Sequence, residues 1–179
     1  MHRLVLPFVA ALALESCAEG PGEFMNSSPP PPESAPSAAV VFDANDFAWS
    51  TATGTGSIDG ILTYHQGSTR FSCAGSDVVL TPQTAWSRRR MIILYGSAYA
   101  AAAPVSIVRA RTPTAGAGDY ARFARHSSCD ASNHFTFGGL PDGSWFVITV
   151  GKPVGATGEP IAVTRRIETH GGVTVANLS

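Results

Sequence analysis

The chain has 179 residues, of which 44% are hydrophobic, and a formal net charge of −1. These values predict one domain of ordinary size with a single core, together with some chain outside it. The nearly balanced charge argues against nucleic acid or a broad anionic surface as the main partner. The charge is nevertheless uneven: residues 18–56 contain five acidic side chains and no Lys or Arg, whereas the part from Ser57 contains eleven basic and seven acidic residues.

The N-terminal segment has the pattern of a bacterial export signal. His2 and Arg3 precede an apolar run from Leu4 to Leu14, and this order is typical of a cleaved signal peptide. The run is too short to cross a hydrocarbon core, which requires about 20 residues. We therefore expect residues 1–17 to act as a signal peptide; a short buried apolar segment is an alternative interpretation.

Cys17 is the predicted lipid attachment site. The tetrad Leu14-Glu15-Ser16-Cys17 resembles a lipoprotein signal box, in which the cysteine is lipidated and becomes the mature N-terminus. Glu15 departs from that pattern, because a small or apolar residue is usual there. Cleavage after Ala18, which would release a soluble periplasmic protein, is the alternative. Because Ala rather than Asp follows the cysteine, we expect a lipidated chain to reside at the periplasmic face of the outer membrane of a Gram-negative cell.

Residues 18–56 are predicted to form a disordered tether. They are rich in Pro, Ser, Ala and Gly and include the run Pro29–Pro32. Such a composition buries too little apolar surface to fold and favours an extended chain. Phe42, Phe47 and Trp49 near its end are expected to pack loosely on the domain that follows.

Residues 57–179 have the pattern of an all-β domain. Short apolar stretches are separated by Gly, Pro, Asn or Asp, as in strands joined by turns. Seven such segments with mostly short connections favour a two-layer β-sandwich. The predicted strands cover residues 57–65, 76–82, 119–127, 134–140, 144–151, 159–168 and 172–178.

Residues 83–118 interrupt this pattern between the second and third predicted strands. The alanine-rich part favours a helix with Ser87 as its N-cap, although Arg88–Arg90 in a first helical turn would oppose the helix dipole. Residues 104–111, PVSIVRAR, are expected to form an extra strand. The sequence therefore predicts an insertion of mixed structure.

Cys73 and Cys129 are predicted to form a disulfide. If Cys17 carries lipid, an even number of cysteines remains, and an exported chain folds in an oxidising compartment. Such a bond would stabilise the domain by about 3–4 kcal/mol in the chain-entropy model. Two free buried thiols are the alternative if the protein stays in the cytoplasm.

The sequence offers no catalytic motif that we can recognise. His126, Cys129, Asp130 and His134 crowd into the stretch HSSCDASNH, but their irregular spacing and the expected disulfide disfavour a metal site. Serine-nucleophile, dinucleotide and Walker motifs do not occur. We predict no catalytic residue, no metal and no cofactor.

Two sets of residues are candidates for binding. Arg88, Arg89 and Arg90 form a basic patch that could meet an anionic polymer or a lipid head group, although a solvated face explains them equally. Aromatic residues in and near the insertion would form a sugar-stacking platform if they shared a surface. These residues are Trp86, Tyr95, Tyr99 and Trp145.

The part of the chain from Ser57 onward resembles the carboxypeptidase regulatory-like domains. The resemblance rests on the turn Asp130–Asn133, the aromatic pair Phe135 and Phe137, the Leu-Pro-Asp-Gly hairpin Leu140–Gly143 and the alternating strand after it. It covers residues 57–178 apart from the insertion, and it implies a seven-stranded, prealbumin-like (transthyretin-like) sandwich. The terminal signature of the hydroxyisourate hydrolases and the iron-binding Tyr and His set of the intradiol dioxygenases, which share this scaffold, do not occur.

The resemblance implies a non-catalytic module that binds or scaffolds in the cell envelope. Its expected partner is an envelope protein or a glycan, with no nucleic acid and with membrane contact through the lipid anchor only. One alternative is an enzyme whose site lies in the insertion at residues 83–118. Another is a purely structural envelope lipoprotein.

Overall fold

Strands with alternating inward and outward side chains dominate the part of the chain that the structure describes. This structure is a computed structural model and describes residues 40–113, 119–155 and 157–179. The predicted signal peptide, Cys17 and residues 18–39 of the predicted tether lie outside the described residues. In chain order the elements are a 3-10 helix (Ala44–Thr51), β1 (Gly56–Leu62), β2 (His65–Gln66), β3 (Thr69–Ser72), β4 (Asp77–Pro82), α1 (Ala85–Tyr95), β5 (Ala100–Pro104), α2 (Val105–Arg111), a second 3-10 helix (Tyr120–Phe123), β6 (Arg125–Ser128), β7 (His134–Leu140), β8 (Gly143–Pro153), β9 (Ile161–Thr169) and β10 (Val173–Leu178).

Two sheets form the predicted sandwich, so the all-β fold class is confirmed. The smaller sheet has the strand order β10-β1-β7, with β1 parallel to β10 and antiparallel to β7. In the larger sheet β8 is central and pairs with both β4 and β9. Strand β6 extends this sheet beyond β4, and β5 extends it beyond β9. The β2–β3 hairpin joins only the last residues of β8.

The core lies between the inner faces of the sheets. Ile58 and Leu62 of β1, Phe135 of β7 and Trp145 of β8 belong to one cluster and are each at most 2% exposed. Gly60 lies opposite Phe135 in the strand register, and a Cβ there would come within 2.1 Å of the Phe135 ring. The ring therefore occupies space that only a glycine leaves free.

The N-terminal 3-10 helix is built into the domain, although the sequence analysis placed this segment in a disordered tether. Phe47 is fully buried, and its ring centroid lies 5.1 Å from that of Phe123. Trp49 packs edge-on against Trp145 with the ring centroids 4.9 Å apart. Arg125 lies over the Trp145 ring and donates a hydrogen bond of 2.9 Å to a backbone carbonyl of the helix. The aromatic side chains of the segment bury enough apolar surface to fix it against the sandwich.

The segment Leu140–Gly143 connects the two sheets and is not the predicted hairpin. Strand β7 pairs with β1 in the smaller sheet, whereas β8 pairs with β4 and β9 in the larger one. At this corner Thr169 Oγ1 donates to the carbonyl of Pro141 at 2.8 Å and accepts a hydrogen bond from Trp145 Nε1 at 3.1 Å. The same Pro-Asp-Gly turn chemistry serves a hairpin and a corner, so local pattern does not distinguish them.

The insertion has mixed structure, but its elements differ from those expected. Thr84 is the N-cap of α1, and Ser87, the expected N-cap, is instead the third helical residue and completes a capping box with Thr84. The alanine run forms strand β5, because pairing with β9 outweighs the helix propensity of alanine. The stretch Val105–Arg111, expected to be a strand, forms α2.

The predicted disulfide between Cys73 and Cys129 is confirmed. Both cysteines are buried in the core. The backbone closes around the bond, because the Gly75 N–H donates to the Cys129 carbonyl at 2.9 Å and the Cys129 N–H donates to the Ser76 carbonyl at 3.0 Å. The bond therefore fixes the loop before β4 to the turn before β7.

The buried position of Phe47 gives a test of the domain boundary. We expect Phe47→Ala to lower the free energy of unfolding by about 3–5 kcal/mol, because it leaves a cavity among packed aromatic rings. The matched control is Val41→Ala, whose side chain is 74% exposed and whose loss should cost less than about 0.5 kcal/mol. Urea denaturation under oxidising conditions measures both values; equal, small effects would mean that the segment is not part of the folded domain.

Candidate functional site

A groove opens at one end of the sandwich, where β1 ends beside the β2–β3 hairpin and the turn before β7. It has a volume of about 450 Å³, which lies within the usual range of ligand pockets. We call it the end groove. Its lining combines apolar and polar side chains: Ile61, Leu62, Thr63, His65, Arg70, Phe71, Ser72, Ala131, Asn133 and Val154.

Asn133 is the most constrained residue of the end groove. Its φ of 68° makes it the one non-glycine residue with a positive φ in the described part of the chain. The preceding turn enforces this conformation: Asp130 Oδ1 accepts hydrogen bonds of 2.8 Å from the Ser132 and His134 N–H groups. Asparagine tolerates the left-handed region better than most residues. The turn therefore presents a fixed amide at the groove.

The two ends of the Asn133 amide have different roles. Its Oδ1 accepts hydrogen bonds from Ser72 Oγ at 2.7 Å and from the Cys73 N–H at 3.0 Å, while its backbone carbonyl accepts from the Leu62 N–H at 3.1 Å. The protein thus occupies both acceptor positions of the oxygen. Within the described residues the Nδ2 has no hydrogen-bond acceptor, so it is left to donate to a ligand.

A cationic side chain borders the groove. Arg70 of β3 and His65 of β2 are opposite each other in the hairpin register, and both are exposed. Within the described residues neither forms an ion pair, and the groove lining contains no carboxylate. The Arg70 guanidinium presents a planar set of hydrogen-bond donors that matches carboxylate oxygens. The groove therefore favours an anionic, oxygen-rich ligand.

The floor of the groove is apolar and rigid. Phe71 is 6% exposed, and its ring centroid lies 5.3 Å from that of Tyr64 in an edge-to-face contact. Phe71 also pairs with Pro153 at the end of β8. The groove therefore combines a fixed apolar floor with hydrogen-bond donors and a positive charge on its rim.

The structure separates the three arginines of the predicted basic patch. Arg90 lies between two aromatic rings, 5.5 Å from the centroid of Trp86 and 5.1 Å from that of Tyr120. Arg88 and Arg89 remain exposed and line a separate recess of about 540 Å³ beside α1. Consecutive helical residues point about 100° apart, so a run of three cannot share one face.

The four aromatic residues proposed as a stacking platform do not share a surface. Trp145 is fully buried in the core, whereas Tyr99 is 64% exposed. Tyr95, the last residue of α1, packs against the cluster of Met91, Ala98 and Phe146, and burial raises the pKa of its phenol. Trp86 packs against Phe42, Phe47 and Tyr120.

Three of the four residues considered as metal ligands make other contacts. Cys129 forms the disulfide, Asp130 holds the turn before β7, and His126 Nδ1 lies 2.9 Å from Asp77 Oδ2. In the described ranges no three His, Cys, Asp or Glu side chains gather closely enough to hold a metal ion.

The end groove was not predicted from the sequence. His65 and Arg70 belong to no recognised motif, and Asn133, at the end of the turn Asp130–Asn133, is more than 60 positions away from them in sequence. The stretch Cys129-Asp-Ala-Ser-Asn133 did carry a signal, because an Asp followed by small residues and an Asn just before a strand is typical of a turn with a left-handed asparagine. That signal locates the turn but does not reveal which elements face it.

Comparison with known proteins adds a fold likeness. No family model matches the chain, and no curated protein matches it. A crystal structure of a protein from Pseudomonas aeruginosa, for which carbohydrate binding has been proposed, resembles this chain with a TM-score of 0.54. The two sequences are 18% identical, and the match covers 76% of this chain and 96% of that chain. The similarity shows a shared sandwich fold.

Among the described residues, no helix is both long and apolar enough to cross a membrane.

The conformation of Asn133 can be tested by comparing two substitutions. Both Asn133→Gly and Asn133→Ala remove the hydrogen bonds to Oδ1, but only alanine is strained at a positive φ. We expect Asn133→Ala to lower the free energy of unfolding by about 1 kcal/mol more than Asn133→Gly does. Urea denaturation gives both values; equal losses would contradict the left-handed conformation.

Proposed function

We propose that this protein is an exported, non-catalytic module that binds an acidic glycan in the end groove. The observation that carries the proposal is the set of polar groups on the rim of the end groove. It combines a charged Arg70, the free Nδ2 of Asn133 and an exposed His65 in a groove that is lined by no carboxylate. Planar guanidinium and amide groups match the carboxylate and hydroxyl oxygens of a uronic acid.

The rigidity of the groove supports binding of a preformed ligand shape. The disulfide at Cys73 and the hydrogen bond from the Cys73 N–H hold the Asn133 side chain before a ligand arrives. A preorganised site loses less conformational entropy on binding than a flexible one does. The fold likeness to a protein from Pseudomonas aeruginosa for which carbohydrate binding has been proposed agrees with this interpretation.

The chemistry of the insertion supports a binding role over an enzymatic one. Residues 83–118 contain no Asp, Glu, His, Cys or Lys, so Tyr95 and Tyr99 are the only side chains there of the types that usually act as an acid or a base. The buried hydroxyl of Ser87 donates a hydrogen bond of 2.8 Å to the Pro82 carbonyl. An enzyme with its site in the insertion would have to use one of the two tyrosines, and burial raises the pKa of Tyr95, which disfavours its ionised, basic form.

The cellular setting forms part of the same proposal. Lipidation at Cys17 and a tether that follows it would hold the domain at the periplasmic face of the outer membrane, and a soluble periplasmic form is the alternative. The disulfide agrees with an oxidising compartment. The carboxypeptidase regulatory-like family is proposed on the resemblance of residues 57–178, and an envelope protein remains the second candidate partner.

Calorimetric titration tests the proposed function. We expect oligosaccharides of glucuronic acid to bind and matched oligosaccharides of glucose to bind at least tenfold more weakly. Arg70→Gln should weaken binding of the acidic oligosaccharide roughly tenfold or more, since a charge-assisted hydrogen bond contributes about 1.5–3 kcal/mol. Arg70→Lys should retain part of the affinity, because a lysine keeps the charge but loses the planar fork.

Arg109→Gln is the matched control. Arg109 is an exposed arginine on α2 that does not line the groove, and its loss should change the affinity less than twofold. Equal binding of the acidic and neutral oligosaccharides, or an unchanged affinity in Arg70→Gln, would overturn the assignment of the end groove to an acidic glycan.

A further inference from the structure

The solvent-exposed side of helix α1 forms a second surface, separate from the end groove. Ser87, Met91 and Leu94 are its buried residues, and they pack the helix on the outer side of the larger sheet, where Met91 contacts Phe146. The opposite side of the helix carries Arg88, Arg89, Ile92 and Ile93. We call these four residues the basic-aliphatic face.

The exposed isoleucines need an explanation. Ile92 is 46% exposed and Ile93 is 51% exposed, and the two are adjacent on the outer side of one helix. Tyr99, which lies next to Arg88 with its ring centroid 5.9 Å from the guanidinium carbon, is also exposed. A cluster of exposed apolar residues bordered by charges is typical of an interaction surface.

The charge of this face has one sign. Helix α1 contains no acidic residue, and the recess that Arg88, Arg89 and Ile92 line contains no carboxylate. None of the ion pairs between described residues involves these arginines. The face is therefore complementary to a surface that is negatively charged and accepts aliphatic side chains.

The described chain begins at this face. Val40, the first described residue, lines the same recess as Arg88, Arg89 and Ile92. The segment that would carry a lipid at Cys17 thus joins the domain beside the basic-aliphatic face.

We propose that the basic-aliphatic face binds the surface of an anionic lipid bilayer. Arg88 and Arg89 contact lipid phosphates, and Ile92, Ile93 and Tyr99 enter the boundary between head groups and acyl chains. This contact is additional to the lipid anchor, which the sequence suggested as the only link to the membrane. It uses none of the residues that line the end groove, so it holds or fails independently of glycan binding.

Vesicle co-sedimentation tests the proposal with residues 18–179, which contain the whole compact unit 38–179 and lack Cys17. We expect binding to phosphatidylcholine vesicles that contain about 30% phosphatidylglycerol, little binding to pure phosphatidylcholine, and loss of binding at about 0.5 M salt. Arg89→Gln should reduce the partition coefficient about fivefold. Lys152→Gln, which removes one exposed charge elsewhere, should leave it within twofold.

The contribution of the isoleucines is tested by comparing two double substitutions. Ile92→Ser/Ile93→Ser should reduce binding to the anionic vesicles at least tenfold. The control is Val173→Ser/Val175→Ser on β10, whose side chains are 70% and 76% exposed; it should bind like the parent. Circular dichroism establishes that each variant is folded. An equal loss of vesicle binding in the two double variants, or equal binding of the parent protein to neutral and anionic vesicles, would overturn the proposal.

The acidic segment before the domain is the competing occupant of this face. Residues 18–39 include Glu19, Glu23 and Glu33. If the variant Glu19→Gln/Glu23→Gln/Glu33→Gln of residues 18–179 bound anionic vesicles and the parent chain did not, the segment would be covering the arginines and the membrane proposal would be wrong. Equal binding of the variant and the parent supports the proposal.

Discussion

The alternation of side chains along β8 is the constraint on which the two surfaces depend. Trp145 and Val147 point into the core between the sheets, whereas Phe146 and Ile148 point to the other side and pack beneath α1. If β8 were apolar on one face only, a second sheet packed on that face would be enough to bury its apolar side chains. Because β8 is apolar on both faces, the larger sheet is covered by the smaller sheet on one side and by the insertion on the other.

The end groove and the solvent-exposed side of α1 present different chemistry. At the end of β8, Pro153 pairs with Phe71 and brings the β2–β3 hairpin beside the disulfide-fixed turn, which creates a groove with Arg70 and Asn133 on its rim. On the helical side, the insertion presents arginines and isoleucines from a single helix. The first surface has fixed hydrogen-bond donors and is suited to a specific ligand. The second has long, exposed cations and aliphatic side chains and is suited to a fluid surface.

Periodicity in the sequence was sufficient to predict the sandwich, and the number of cysteines in an exported chain was sufficient to predict the disulfide, but neither predicted the features that tertiary contacts decide. The alanine run at residues 100–103 has helical propensity yet forms a strand, because β9 offers it a pairing edge. Predicted strand 119–127 is a strand only from Arg125, since Phe123 turns inward to meet Phe47 in a 3-10 helix. The groove was not predictable, because it joins residues 60 positions apart through the hydrogen bond from Cys73 to Asn133.

The central claim is that an acidic glycan binds in the end groove, and amide chemical-shift mapping tests it most directly. Titration of isotope-labelled protein with a glucuronic acid oligosaccharide should shift the amide resonances of residues 61–72 and 131–133 and of Val154. The resonances of α1, residues 85–95, should stay in place, because the helix lies on a different surface. Shifts concentrated on α1, or no shifts in the groove at a saturating concentration of the oligosaccharide, would contradict the account.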